Sequence, residues 1–180
     1  MKRVIFWMTF LLLIAVFTTE DIFAIGNGEV VPNRLTIRYN VQAFEKVKAI
    51  VLEGEYGLTS TLALEGRYIY TSPASYLDTF IKFKLHEERN LNVAGRVGLH
   101  SDFDDKTPVN KILGIVFSKD HNSFIQLHGG VTYSMTTEKI GYFAGLDYQL
   151  SARSYFQAGW QKFVGQSETQ GWVFGLRTDI

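Results

Sequence analysis

The sequence predicts an all-β chain, an antiparallel up-and-down barrel of about ten strands that crosses a membrane, with eight as the alternative count. Three observations predict it. Apolar residues recur at alternate positions from Leu35 to the C-terminus, the period of a strand with two unlike faces. The alternating segments are each about 9–12 residues long, enough to cross a bilayer when tilted and longer than most soluble strands. Short turns separate them, so neighbours pair as hairpins.

A leader comes first. Lys2 and Arg3 precede an apolar run from Val4 to Phe17. That run falls short of the roughly 20 residues of a membrane helix and fits an export signal cut after Ala24. Residues 1–24 are therefore read as a signal peptide and 25–180 as one barrel domain.

The strands follow in order. Leu35, Ile37 and Tyr39 alternate with Thr36, Arg38 and Asn40. Ile50, Leu52, Gly54, Tyr56 and Leu58 alternate with Val51, Glu53 and Glu55, and the third strand sets Leu62, Leu64, Gly66, Tyr68 and Tyr70 against Ala63, Glu65, Arg67 and Ile69. Leu77, Thr79, Ile81, Phe83 and Leu85 face away from Asp78, Phe80, Lys82 and Lys84; Leu91, Val93, Gly95, Val97 and Leu99 face away from Asn92, Ala94, Arg96 and His100. A shorter sixth strand carries Leu113, Ile115 and Phe117. The seventh carries Ile125, Leu127, Val131 and Tyr133, and the eighth sets Ile140, Tyr142, Leu146 and Tyr148 against Phe143 and Asp147. Phe156, Ala158 and Trp160 mark the ninth, and the last places Trp172, Phe174, Leu176, Thr178 and Ile180 opposite Val173, Arg177 and Asp179.

Pairing tests these faces against one another, because a one-residue slip would turn every apolar side chain over. A hairpin centred on Ser60 sets Tyr56 against Leu64, Leu52 against Tyr68 and Glu53 against Arg67. One centred on Glu88 sets Phe83 against Val93, and one centred on Ala152 sets Tyr148 against Phe156. The turns at Thr59–Thr61, His86–Asn90, Lys119–Asn122 and Ser151–Arg153 are short and share one mouth. Those at Asn40–Lys46, Thr71–Ser75, Ser101–Asn110, Met135–Lys139 and Gly165–Gln170 are longer and share the other. In an exported barrel the short turns are periplasmic.

Period two is shared by soluble and membrane barrels, so a periplasmic lipocalin-like ligand-binding barrel is the soluble alternative. Membrane solvent is favoured by strand length, by the even strand count, by the export signal and by aromatics near strand ends (Tyr39, Tyr56, Tyr68, Tyr70, Tyr76, Tyr133, Tyr148, Phe156, Trp172) that suit interfacial girdles. The expected location is the outer membrane, with membrane lipid as partner and oligomeric state open.

The segment Glu55-Tyr56-Gly57-Leu58-Thr59-Ser60-Thr61-Leu62-Ala63-Leu64 resembles the periplasmic hairpin of small Gram-negative outer-membrane barrels. Residues 30–180 resemble the OmpA-type and opacity-protein-like barrel group. The final strand, through Trp172, Phe174, Leu176 and Ile180, is similar to the signal read by the barrel assembly machinery, although that group usually ends in an aromatic residue. The resemblance implies an outer-membrane barrel and names no substrate.

Composition narrows the function further. Eighteen Lys+Arg balance eighteen Asp+Glu, and the leader takes two from each side, so the barrel stays neutral. Nucleic-acid binding through phosphate contacts would need a basic excess. The lack of Cys excludes disulfides, thiolate metal sites and a Cys nucleophile. No metal motif or phosphate loop is present, and no cofactor is expected. The polar face places Arg38, Glu53, Glu55, Glu65, Arg67, Asp78, Lys82, Lys84, Arg96, Asp147, Arg177 and Asp179 in the lumen. Charges of both signs in so narrow a space are expected to neutralise one another.

The sharpest enzymatic pattern is His100-Ser101-Asp102, followed by Asp104 and Asp105, with His128 as another base. At a barrel rim a Ser, His and acid set would suit a lipid A deacylase or phospholipase. Adjacent strand residues point to opposite faces, however, and catalysis needs the pair within hydrogen-bond reach. The leading expectation is a non-enzymatic barrel with a structural or surface-interaction role.

Overall fold

Ten strands close into an antiparallel barrel in which each strand pairs with its sequence neighbours and the first pairs with the last. The computed structural model describes residues 26–44, 48–71, 75–103, 109–164 and 170–180. The predicted leader lies outside them, as do Asp104 and Asp105. The strands are β1 (Leu35–Phe44), β2 (Lys48–Gly57), β3 (Leu62–Thr71), β4 (Ser75–Glu88), β5 (Leu91–Asp102), β6 (Asn110–Asp120), β7 (Ile125–Ser134), β8 (Lys139–Ser151), β9 (Ser154–Val164) and β10 (Gln170–Asp179). The seam is completed at the C-terminus, where Ile180 N donates to Leu35 O at 2.8 Å and Leu35 N donates to Ile180 O at 3.2 Å. The opening beside this seam is the near mouth, and the opposite opening is the far mouth.

Closure explains the two faces. With all ten strands paired there is no edge, and the alternation sends one side chain in and the next out. Leu52, Leu64, Ile81, Val97, Leu113, Ile115, Val131 and Leu176 all lie exposed on the outside. Aromatics border this band: Tyr68, Tyr70, Tyr133 and Trp172 towards the far mouth, Tyr56, Phe83, Phe117 and Tyr148 towards the near one. A soluble barrel would bury its apolar side chains inside. This one turns them outward all around, as lipid requires.

Most of the register follows the sequence expectation, including Tyr56 opposite Leu64, Glu53 opposite Arg67, and Tyr148 opposite Phe156. Three features differ. Phe83 pairs with Gly95 rather than Val93, and a bulge between Lys84 and His86 absorbs an extra residue before Glu88 pairs with Leu91. β1 runs on through Val41 to Phe44, so the first far connection is shorter than Asn40–Lys46. β6 is 11 residues long, a full crossing, with Leu113, Ile115 and Phe117 outward and Ile112 and Val116 buried inside.

Residues 26–34, which carry no strand pattern, run from inside the near mouth to its rim, where Pro32 and Asn33 are exposed. Asn27 and Val30 are each 3% exposed. Val30 joins Ala63, Ala94, Val116, Phe143 and Val173 in the apolar cluster of the lumen. Asn33, in the left-handed conformation that Asn tolerates (φ 58°), turns the chain into β1, and its N–H donates to Gly57 O at 2.8 Å.

Candidate functional site

The inward face carries the chemistry, and strand register arranges it. Direct cross-strand partners run Arg38, Glu53, Arg67, Asp78, His100 from β1 to β5. Basic and acidic groups alternate along that row, the favourable arrangement for neighbouring strands. The next row sets Glu55 beside Glu65, a like-charge pair that needs cations from adjacent layers. Lys82 Nζ donates to Glu55 Oε1 at 2.7 Å, and Arg67 Nη2 donates to Glu65 Oε1 at 2.8 Å.

Arg38, Glu53, Glu55, Glu65, Arg67, Asp78, Lys82, Arg96, Asp147 and Arg177 all lie inside, none more than 5% exposed. Arg38 binds Glu53 and reaches Glu55 at 3.2 Å. Arg67 donates from Nε to Glu53 at 3.0 Å and lies 3.5 Å from Asp78. Arg96 Nη1 donates to Glu65 at 3.3 Å. The guanidinium groups of Arg67 and Arg96 lie 5.4 and 5.0 Å from the centroid of the Phe80 ring, which adds cation–π attraction.

A second cluster occupies the opposite wall. Arg177 donates to Asp147 at 2.8 Å and to both Asp179 oxygens at 3.1 and 2.9 Å. Asp147 also accepts from Gln157 Nε2 at 2.8 Å, with His128 Nδ1 3.2 Å away. Lys84 keeps the inward parity of Lys82, opposite buried Ala94, and at the near-mouth end of that face it pairs with Glu87 at 2.7 Å.

The interior is not polar throughout. Above the charged rows, towards the far mouth, Ala49, Val51, Ile69, Ile112 and Val173 are each no more than 3% exposed. They fill the lumen by volume, as a small barrel requires. Tyr76, assigned to the girdle by sequence, shares the inward face with Asp78; it is 8% exposed and stacks on His100 with centroids 5.2 Å apart.

The His100-Ser101-Asp102 set divides between the two faces. His100 Nδ1 lies 2.6 Å from Asp78 Oδ1 inside the far mouth, whereas Ser101 is the direct partner of the outward-facing Leu77. Asp102 returns to the inward register opposite Tyr76. The partner of His100 is therefore Asp78, distant in sequence and brought beside it only by the β4–β5 register.

No protein-family model and no curated relative matches the sequence. Among solved structures, a barrel described as a de novo designed transmembrane β-barrel aligns at a TM-score of 0.50 and 13% identity, covering 84% of this chain and 99% of that one. The KdgM porin, in complex with disordered oligogalacturonate, aligns at 0.54 and 11%, covering 81% and 98%. The fold is that of a transmembrane β-barrel. With its even strand number, up-and-down order and outward apolar belt, the barrel is of the outer-membrane type. Trp172, Phe174, Leu176 and Ile180 line its outer wall at 59%, 38%, 45% and 62% exposure, on the strand that closes the seam.

Proposed function

We propose that the barrel is a closed structural element of the outer membrane that presents short far-mouth loops for surface contact, and that it acts neither as an open pore nor as an enzyme. The observation that carries this reading is the pairing of the lumen: each of Arg38, Arg67, Lys82, Arg96 and Arg177 already contacts a carboxylate. The KdgM structure holds an oligogalacturonate, a polyanion that would need unpaired cations along its path. Here those cations are committed to the wall itself, and the layer above them is filled by buried side chains, Val51, Ile69, Ile112 and Val173 together with Asn40, Gln42 and Gln161, which ions would have to displace to pass.

The lipid-hydrolase alternative draws no support from His100, which faces away from Ser101 and is held by Asp78. Membrane lipid solvates the outward band in this reading, and the assembly machinery takes hold of β10 through Trp172, Phe174, Leu176 and Ile180. In planar bilayers the purified barrel is expected to give a silent baseline at moderate voltage. Regular ohmic steps from the unmodified chain would overturn the closed-lumen reading.

A further inference from the structure

The near mouth holds a cleft that the closed lumen does not use. Its volume is about 490 Å³, within the range of small-molecule sites. Segment 26–34 lines it through Glu29 and Arg34, the β8–β9 hairpin through Gln149 and Tyr155, and the β6–β7 turn through Phe124. Gln126 and Arg177, both buried, line it from the barrel interior.

The ionic groups here already satisfy one another. Glu29 accepts from Arg34 Nη2 at 2.7 Å and from Gln126 Nε2 at 3.3 Å. Arg34 also lies 3.5 Å from Asp179, and Arg177 is held by Asp147 and Asp179. Among the described residues of this cluster, four acids (Glu29, Asp120, Asp147 and Asp179) are set against two arginines. An anionic ligand would meet that surplus and find both guanidinium groups engaged. A cationic ligand would find one uncommitted carboxylate oxygen, Asp120 Oδ2, since Asp120 Oδ1 accepts from Gln126 at 2.9 Å.

What stays open is neutral. The side chains of Asn90, Ser123 and Gln149 and the Tyr155 hydroxyl line the cleft and make no hydrogen bond among the described residues. Gln149 and Tyr155 are direct cross-strand partners, and the Tyr155 ring is held 4.5 Å from the Arg177 guanidinium, which fixes where its hydroxyl points. Amides and hydroxyls both donate and accept, as the hydroxyls of a sugar ring do. At the rim Phe124, 60% exposed, offers a flat apolar ring on which the C–H face of a sugar can lie.

We propose that the near-mouth cleft binds a neutral saccharide of about one or two rings. Gln149 and the Tyr155 hydroxyl meet its hydroxyl groups, Asp120 Oδ2 accepts from one of them, and Phe124 underlies the ring. No charge pair has to open for it to enter, and the selectivity is for a ligand that carries hydroxyls and no net charge.

The full barrel, confirmed as closed by heat-modifiable gel migration in a detergent without a sugar headgroup, is titrated calorimetrically with N,N′-diacetylchitobiose, with maltose and with digalacturonate. Saturable binding of at least one neutral disaccharide is expected, at least about tenfold tighter than that of digalacturonate. The tighter of the two neutral sugars tells an acetylated glycan from a plain hexose one. Gln149→Ala combined with Tyr155→Phe is expected to weaken binding about tenfold, the loss of roughly two net hydrogen bonds. Phe124→Ala, on an exposed turn where folding is not at stake, is expected to weaken it at least about threefold. Absence of saturable binding by either neutral disaccharide would overturn the proposal. Binding that is unchanged in both variants would put the sugar elsewhere and overturn the site, and digalacturonate bound as tightly as the neutral sugars would overturn the ligand class.

Discussion

Replacing Glu53 with leucine is expected to lower the unfolding free energy of the barrel in detergent micelles by about 3–5 kcal/mol, the usual cost of removing one partner from a buried ion pair. Glu53 stands between two cations, accepting from Arg38 on one side and from Arg67 at 3.0 Å on the other, and is fully buried. Its loss leaves the two guanidinium groups next to each other with one fewer anion between them. Arg38 can still reach Glu55 and Arg67 can still reach Glu65, which holds the loss to the range of a single broken pair. Adding Arg38→Met removes the orphaned charge, and the double variant is expected to recover most of the stability. Urea titration followed by tryptophan fluorescence measures both. A Glu53→Leu chain as stable as its parent, or a double variant worse than the sum of its parts, would show that the network does not neutralise itself as described.

On the outer wall, Ile115→Arg is expected to cost about 2–4 kcal/mol in a lipid bilayer, the cost of a cation near the midplane of a barrel's lipid face. Ile115 lies at the centre of β6 and is 55% exposed, so a soluble barrel would accept arginine there with little change. The same substitution at Leu91, where β5 begins at the near mouth, is expected to cost no more than about 1 kcal/mol because the side chain reaches the interface. Refolding equilibria into vesicles, measured for both, give the depth dependence. A flat response across the two positions would mean that the apolar band does not see lipid.

The parts legible in the sequence are those that depend on parity. Glu53 opposite Arg67 emerges from the β2–β3 hairpin because an acid, a base and several apolar pairs all require the same register. The β4–β5 register differs from the expected one by two residues, and apolar matching has no power there: a slip of two keeps every side chain on its face, and the bulge after Lys84 adds a residue without a turn signal. β1 extends past Asn40 although Asn40 and Gln42 look like loop residues. Both are buried inside the lumen, where amides are suited to strand positions. Tyr76 misleads for the opposite reason, since an aromatic near a strand end suggests a girdle, whereas its spacing of two from Asp78 puts it inside.

The ion-pair partners of single residues are legible from sequence only in part. His100 with Asp78 needs the observed β4–β5 register, and Arg177 with Asp147 reaches past β9 from β10 to β8, two strands apart along one wall. The segment 26–34 is invisible to periodicity, because nine residues running from the lumen to its rim have no face to repeat. What signal there is lies in composition: Gly26 and Gly28 flank Asn27, and Pro32 and Asn33 form a turn just ahead of the first strand.

The central claim is that the alternate apolar residues face lipid while paired charges fill the inside. Alkaline carbonate extraction of membranes from expressing cells tests it most directly. The barrel is predicted to remain wholly in the membrane pellet, to be released only by detergent, and to migrate faster on a gel when unheated than when boiled. Recovery of the barrel in the carbonate-soluble or periplasmic fraction would contradict the account.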